Sequence, residues 1–178
     1  MRAQDGEAVA RLLGVRTMLP ANWAAGLREA RQQGVFVTPA VDGWVYVVGR
    51  DLDGDGRDVA AFVTPLVERL AGRFGGAGWF RCDGGVERHG WALATADGLV
   101  RGYAYDGELG HVWSHGEVTA AEAELGCFID DPRDRSDDEV KWWPDERTVL
   151  DLAAAWSGDP RRLGAGTAAP ATGWVGRL

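Results

Sequence analysis

Hydrophobic and polar positions change rhythm several times along this chain of 178 residues. From Gly78 to Ser114 they alternate, and Asp83-Gly84, Asp97-Gly98 and Asp106-Gly107 punctuate the run. Asp-Gly suits two-residue hairpin turns, because glycine tolerates the positive φ of type I′. The stretch therefore predicts a β-meander. With Asp97-Gly98 and Asp106-Gly107 at the tips, Trp91 pairs with Ala104, Ala104 with Leu109, and Gly102 with His111. Side chains alternate across a sheet. One face then carries Glu87, His89, Trp91, Leu93, Val100, Gly102, Ala104, Leu109, His111 and Trp113. Large rings opposite small residues mark it as the buried face. The other face carries Arg88, Ala92, Ala94, Leu99, Arg101, Tyr103, Tyr105 and Val112, and is expected to be partly wet.

On either side of the meander the period lengthens to that of helices. Asp5 to Leu13 sets Ala8, Val9, Leu12 and Leu13 on one side and stops at Gly14. Leu19-Pro20 opens a second helix, with Trp23, Leu27 and Ala30 on one face and Gly34 past its end. Val35 to Thr38 and Trp44 to Val48 read as a hairpin about Asp42-Gly43. A third helix spans Pro65 to Phe74 with Thr64 as N-cap, the alternative being an earlier start with a kink at Pro65. Thr119 and Glu122 have capping-box spacing. A last helix starts at Pro144 or Asp145 and turns Val149, Leu152, Ala153 and Trp156 inward. The expected fold is one α+β domain over residues 1–163. It holds an antiparallel meander sheet of about six strands with helices packed mainly on one face. Residues 164–178, rich in Gly, Ala, Thr and Pro, are expected as a loose C-terminal tail, with docking of Trp174 left open.

Charge narrows the partners. A net charge of −8 argues against nucleic acid and against an anionic membrane surface. It permits a basic protein partner. The two cysteines, Cys82 and Cys127, form neither a disulfide framework nor a zinc signature. No apolar run approaches a membrane span, and the charged N-terminal stretch lacks a signal-peptide core. The expected setting is the reducing cytoplasm, with no cofactor.

Three groups of residues could carry chemistry. Glu87, His89 and Asp106 gather at one end of the expected face, where a carboxylate beside an imidazole would suit general acid–base work on a small molecule. The alternative is a hydrogen-bonded structural histidine. Cys82 with His89 would be a nucleophilic dyad, the alternative being a structural thiol. Asp51, Asp53 and Asp55, followed by Gly56, match the opening of a calcium loop. Phe62 then stands where such a loop has its bidentate glutamate, so a solvated turn is the better reading. The third group is Asp130, Asp131, Asp134, Asp137 and Asp138, running into Trp142 and Trp143. An acidic rim beside aromatic anchors is a common build for a protein-binding surface. The bland counterpart is a solvated loop leading into core aromatics.

The segments Val35-Phe36-Val37-Thr38-Pro39, Asp42-Gly43-Trp44-Val45-Tyr46-Val47-Val48-Gly49, His89-Gly90-Trp91-Ala92 and Arg101-Gly102-Tyr103-Ala104-Tyr105 carry a resemblance. The chain resembles small acidic α/β proteins of bacteria that serve as immunity partners of secreted toxins, over roughly Leu19 to Leu163. The resemblance implies a cytoplasmic, non-catalytic protein that blocks a basic toxin by occupying its active surface. It brings no active-site residues with it.

Overall fold

The computed structural model describes residues 1–54, 58–128, 142–164, 166–167 and 172–178. Its strands are β1 (Arg16–Ala21), β2 (Val35–Val37), β3 (Val47–Gly49), β4 (Gly76–Asp83), β5 (Arg88–Thr95), β6 (Gly98–Asp106), β7 (Gly110–His115) and β8 (Gly173–Arg177). Its helices are α1 (Gly6–Leu13), α2 (Trp23–Gln32), α3 (Val59–Phe74), α4 (Ala120–Glu124) and α5 (Glu146–Trp156). The fold is mixed α+β and antiparallel, as expected. Its strands form two four-stranded sheets rather than one of six, in the orders β1-β8-β2-β3 and β4-β5-β6-β7.

Local rules place most helix ends. Asp5 caps α1 by accepting from the Glu7 and Ala8 amides, and Gly14 closes the helix in the left-handed region. Asp145 caps α5 in the same way through the Thr148 amide. Two starts differ from the sequence reading. Leu19-Pro20 lies in β1, paired with Val175 and Trp174, and α2 begins after the cap Asn22. Helix α3 begins at Val59 under the cap Asp58 and carries Pro65 in its second turn, the earlier start held as the alternative.

The end of the chain is a correction. Residues 173–177, expected within a loose tail, form β8 between β1 and β2. A short strand in Gly- and Ala-rich sequence has little periodicity of its own. Its place is set by ladder partners from two distant segments, Leu19 on one side and Phe36 on the other.

The meander forms from Gly76 to His115, but in a different register. The β5–β6 turn sits at Ala96-Asp97, so Thr95 pairs with Gly98, and β6 holds an irregularity between Leu99 and Arg101. Trp91 therefore faces Tyr103 rather than Ala104. In the next connection Asp106 pairs with Gly110, its carboxylate accepting from the Glu108 amide at 3.0 Å. Leu109 is thrown out of the ladder and is 76% exposed. A one-residue slip exchanges faces. Arg101, Tyr103 and Tyr105, expected to be partly wet, are buried.

Both faces of the meander are covered. Ala77, Trp79, Ala92 and Ala94 pack with Val63, Val67 and Leu70 of α3, in a core that also holds Val35 and Val37 of the first sheet and Val45, which precedes β3. Trp91, Tyr103 and Tyr105 pack with Val149 and Leu152 of α5. No helix among the described residues is long and apolar enough to cross a membrane.

Candidate functional site

Beneath α4, a buried carboxylate organises the second face of the meander. Glu122, inaccessible to solvent, accepts from the Trp91 indole at 2.7 Å and from Arg101 Nε at 2.9 and 3.0 Å. The capping box predicted from Thr119 and Glu122 is present, and the Thr119 amide donates to the same carboxylate at 2.7 Å. Arg101 also donates to the carbonyls of Gly102 and His115 at 2.9 and 2.8 Å. A buried ion pair is tolerated only when such further bonds satisfy it. This one ties α4 to β5, β6 and β7.

Aromatic rings spread from that anchor toward the turn end of the meander. Phe128 packs tilted against Trp142 at 4.7 Å between centroids and edge-on against Tyr103 at 4.8 Å. Tyr103 Oη lies 2.7 Å from His111 Nδ1. The adjacent tryptophans divide their roles. Trp142 faces Trp91 and Tyr103 and is half-buried, whereas Trp143 rests edge-on against Tyr105 at 5.5 Å and is 55% exposed. The β4–β5 and β6–β7 turns lie at this same end, so that a side chain on Gly107 would collide with Glu87. These turns carry the exposed Val86 and Leu109.

Carboxylates converge on the same place. Burial holds the His89 imidazole below the ordinary histidine range, and Asp145, Glu87, Glu146 and Asp83 pull the other way. Cys82, directly across the ladder from His89, is pushed up to about 11 by burial and by Glu146, Asp83 and Asp145. A thiol held neutral by surrounding acids is the opposite of an activated nucleophile.

The acid–base group does not assemble. His89 is 6% exposed. Asp106 is held by Arg88 at 2.6 Å and, one residue beyond Tyr105, points to the other face from His89. Only Glu87 of the expected pair acts on the imidazole. The Asp106 carboxyl lies below its usual range because the Glu108 amide and the Arg88 side chain bond to it. Two of the three calcium-loop candidates have partners of their own. Asp51 accepts from the Leu178 amide at 3.1 Å and Asp53 pairs with Arg81 at 3.3 Å, while Asp55 lies outside the described residues. Among the described residues no group of three His, Cys, Asp or Glu could hold a metal.

Asp130, Asp131, Asp134, Asp137 and Asp138 also lie outside the described residues. Sequence reasoning reached Trp142 and Trp143 but missed Arg101 and Glu122. The signal for that pair was an arginine alternating with tyrosines in a strand, together with a capping-box acid with spare lone pairs. No family model, curated protein or solved structure matches the chain, so no family is assigned to it.

Proposed function

We propose that this chain is a non-catalytic protein-binding protein of the cytoplasm. In this reading it docks a basic partner on the turn end of the meander, as an immunity protein does when it occludes a toxin's active surface. The observation that carries the proposal is Trp143, exposed and edge-on against Tyr105, whose ladder partner His89 is acted on by four carboxylates. A rigidly backed aromatic side chain loses little conformational freedom on binding and is a typical interface anchor. Exposed Glu87, Glu108 and Glu146 would steer a cationic partner by complementary charge.

The test is capture from the native source with the full chain as bait, with products of neighbouring genes as candidate partners. Wild-type bait is compared with Trp143→Ala and with the triple variant Glu87→Lys, Glu108→Lys and Glu146→Lys. A stoichiometric basic partner should bind wild type, bind Trp143→Ala more than about tenfold more weakly, and associate more slowly with the triple variant. Equal binding of the partner by all three proteins would overturn the proposed surface.

A further inference from the structure

A cleft of about 720 Å³ is lined by residues of both sheets and reaches Cys82 near the turn end. Residues of β3 and β4, which stand at the ends of their sheets' strand orders, line it, and α2, α3 and α5 complete its walls. The volume falls within the range of small-molecule pockets, roughly 300–1,000 Å³. Its interior is apolar, with Trp79, Phe80, Leu66 and Leu70 among the lining side chains.

The polar groups of the lining are unusual for so acidic a chain. Arg31, Arg50 and Arg81 line the cleft against a single carboxylate, Asp53, which is paired with Arg81. Arg31 and Arg50 are exposed and therefore stand at the mouth, and neither has a carboxylate partner among the described residues. The neutral groups are donors too. Trp23 lines the cleft at 6% exposure, and its indole N–H has no hydrogen-bond partner among the described residues. The Tyr46 phenol is held above its ordinary range by burial and by Asp42, and remains a neutral O–H. Cys82, at the rim, remains a neutral thiol. Among the lining side chains positive charge thus outnumbers negative, on a chain that carries −8 overall, while Glu146, Asp83 and Asp145 act on the rim at Cys82.

We infer that this inter-sheet cleft binds an amphiphilic anion, with an apolar body between the sheets and a carboxylate-type head among the arginines of the mouth. An apolar cation would leave its head beside like charge. A neutral hydrocarbon would leave the donors of the lining unanswered. The occupant that satisfies both halves of the site is a medium-chain carboxylate or a molecule of that chemistry.

Calorimetry with the full chain tests this, with sodium dodecanoate as the probe and dodecyltrimethylammonium as the head-group control, both below their micellar concentrations. Dodecanoate should bind saturably at one site, and the ammonium at least about tenfold more weakly. The double variant Arg31→Gln/Arg50→Gln alters only exposed positions, and should weaken dodecanoate about tenfold while leaving the control unchanged. Val47→Trp, which fills the cleft from β3, should abolish binding of both. Absence of saturable dodecanoate binding, or equal binding of the two amphiphiles, would overturn the inference. So would a double variant that binds dodecanoate as wild type does, and this holds even if Val47→Trp does not fold.

Discussion

At the turn end of the meander, carboxylates act on His89 and Cys82, and Trp143 is exposed beside Tyr105. In the cleft between the sheets, arginines rim an interior of aromatic and aliphatic side chains that face inward. Strand β4 and helix α5 serve both places. Asp145 and Glu146, at the start of α5, act on His89 near the turn end, while Val149 and Ala153 further along line the cleft. Along these shared elements the acids act on His89 and Cys82, while the cleft lining carries three arginines and Asp53. The occupants proposed for the two regions differ accordingly, a cationic protein at the turn end and an amphiphilic anion in the cleft.

The sharpest way to separate the two regions is to dismantle the support of one. Glu122→Gln removes a fully buried charge and leaves Arg101 uncompensated beneath the aromatic layer. It should cost about 3–5 kcal/mol in denaturant unfolding. None of Glu122, Arg101 or Trp91 lines the cleft, so the folded fraction should bind dodecanoate as wild type does. A smaller perturbation reaches the other side. A side chain on Gly26 of α2 would run into the ring of Phe36, which is wholly buried. Gly26→Ala should therefore destabilise by about 1–3 kcal/mol despite alanine's better helix propensity. It should also weaken dodecanoate binding through displacement of Trp23 and Leu27, without affecting partner docking.

Acid separates the regions more gently. His89 is neutral in the fold because burial lowers its proton affinity, against the opposing pull of Asp145, Glu87, Glu146 and Asp83. Unfolding lets it take up a proton. Its contribution is therefore complete above the ordinary histidine value and is lost as pH falls below about 6.5. Melting curves between about pH 7 and pH 5 should show a falling Tm in wild type and a flatter one in His89→Gln. The smallest effect on stability belongs to Trp143→Ala. The exposed ring should contribute less than about 0.5 kcal/mol to unfolding, although it is the proposed anchor for the partner. A large loss of stability in this variant would make Trp143 a core residue and blur the contrast.

Much of the local structure was legible in the chain. Asp5, Thr119 and Asp145 cap the helices that their spacing suggested, because a cap is settled within one turn by backbone amides and one side chain. The Val35–Val48 hairpin and the existence of the meander follow from alternation in the same way. Of the candidate sites, Trp142 and Trp143 were singled out by adjacency. Their division into a packed and an exposed ring depended on Tyr105 being turned toward them.

Register is where sequence reasoning stopped. Asp-Gly dipeptides suggested three tight turns, yet the β5–β6 turn moved back one residue and β6 took up an irregularity near Val100. The Leu99 amide meets the Glu68 carboxylate of α3 at 3.1 Å, a contact across 31 positions that no local pattern announces. That slip buries Arg101 against Glu122 and takes Asp106 away from His89. The same holds for β8, whose partners lie far away in sequence, and for the cleft, whose walls come from both sheets. The caps at Thr119 and Asp145 were determined by the sequence itself, since neighbouring atoms decide them, whereas the starts of α2 and α3 and the β5–β6 turn were not. Faces, ion pairs and cavities were decided only by the tertiary structure, since they depend on which distant segments share one core.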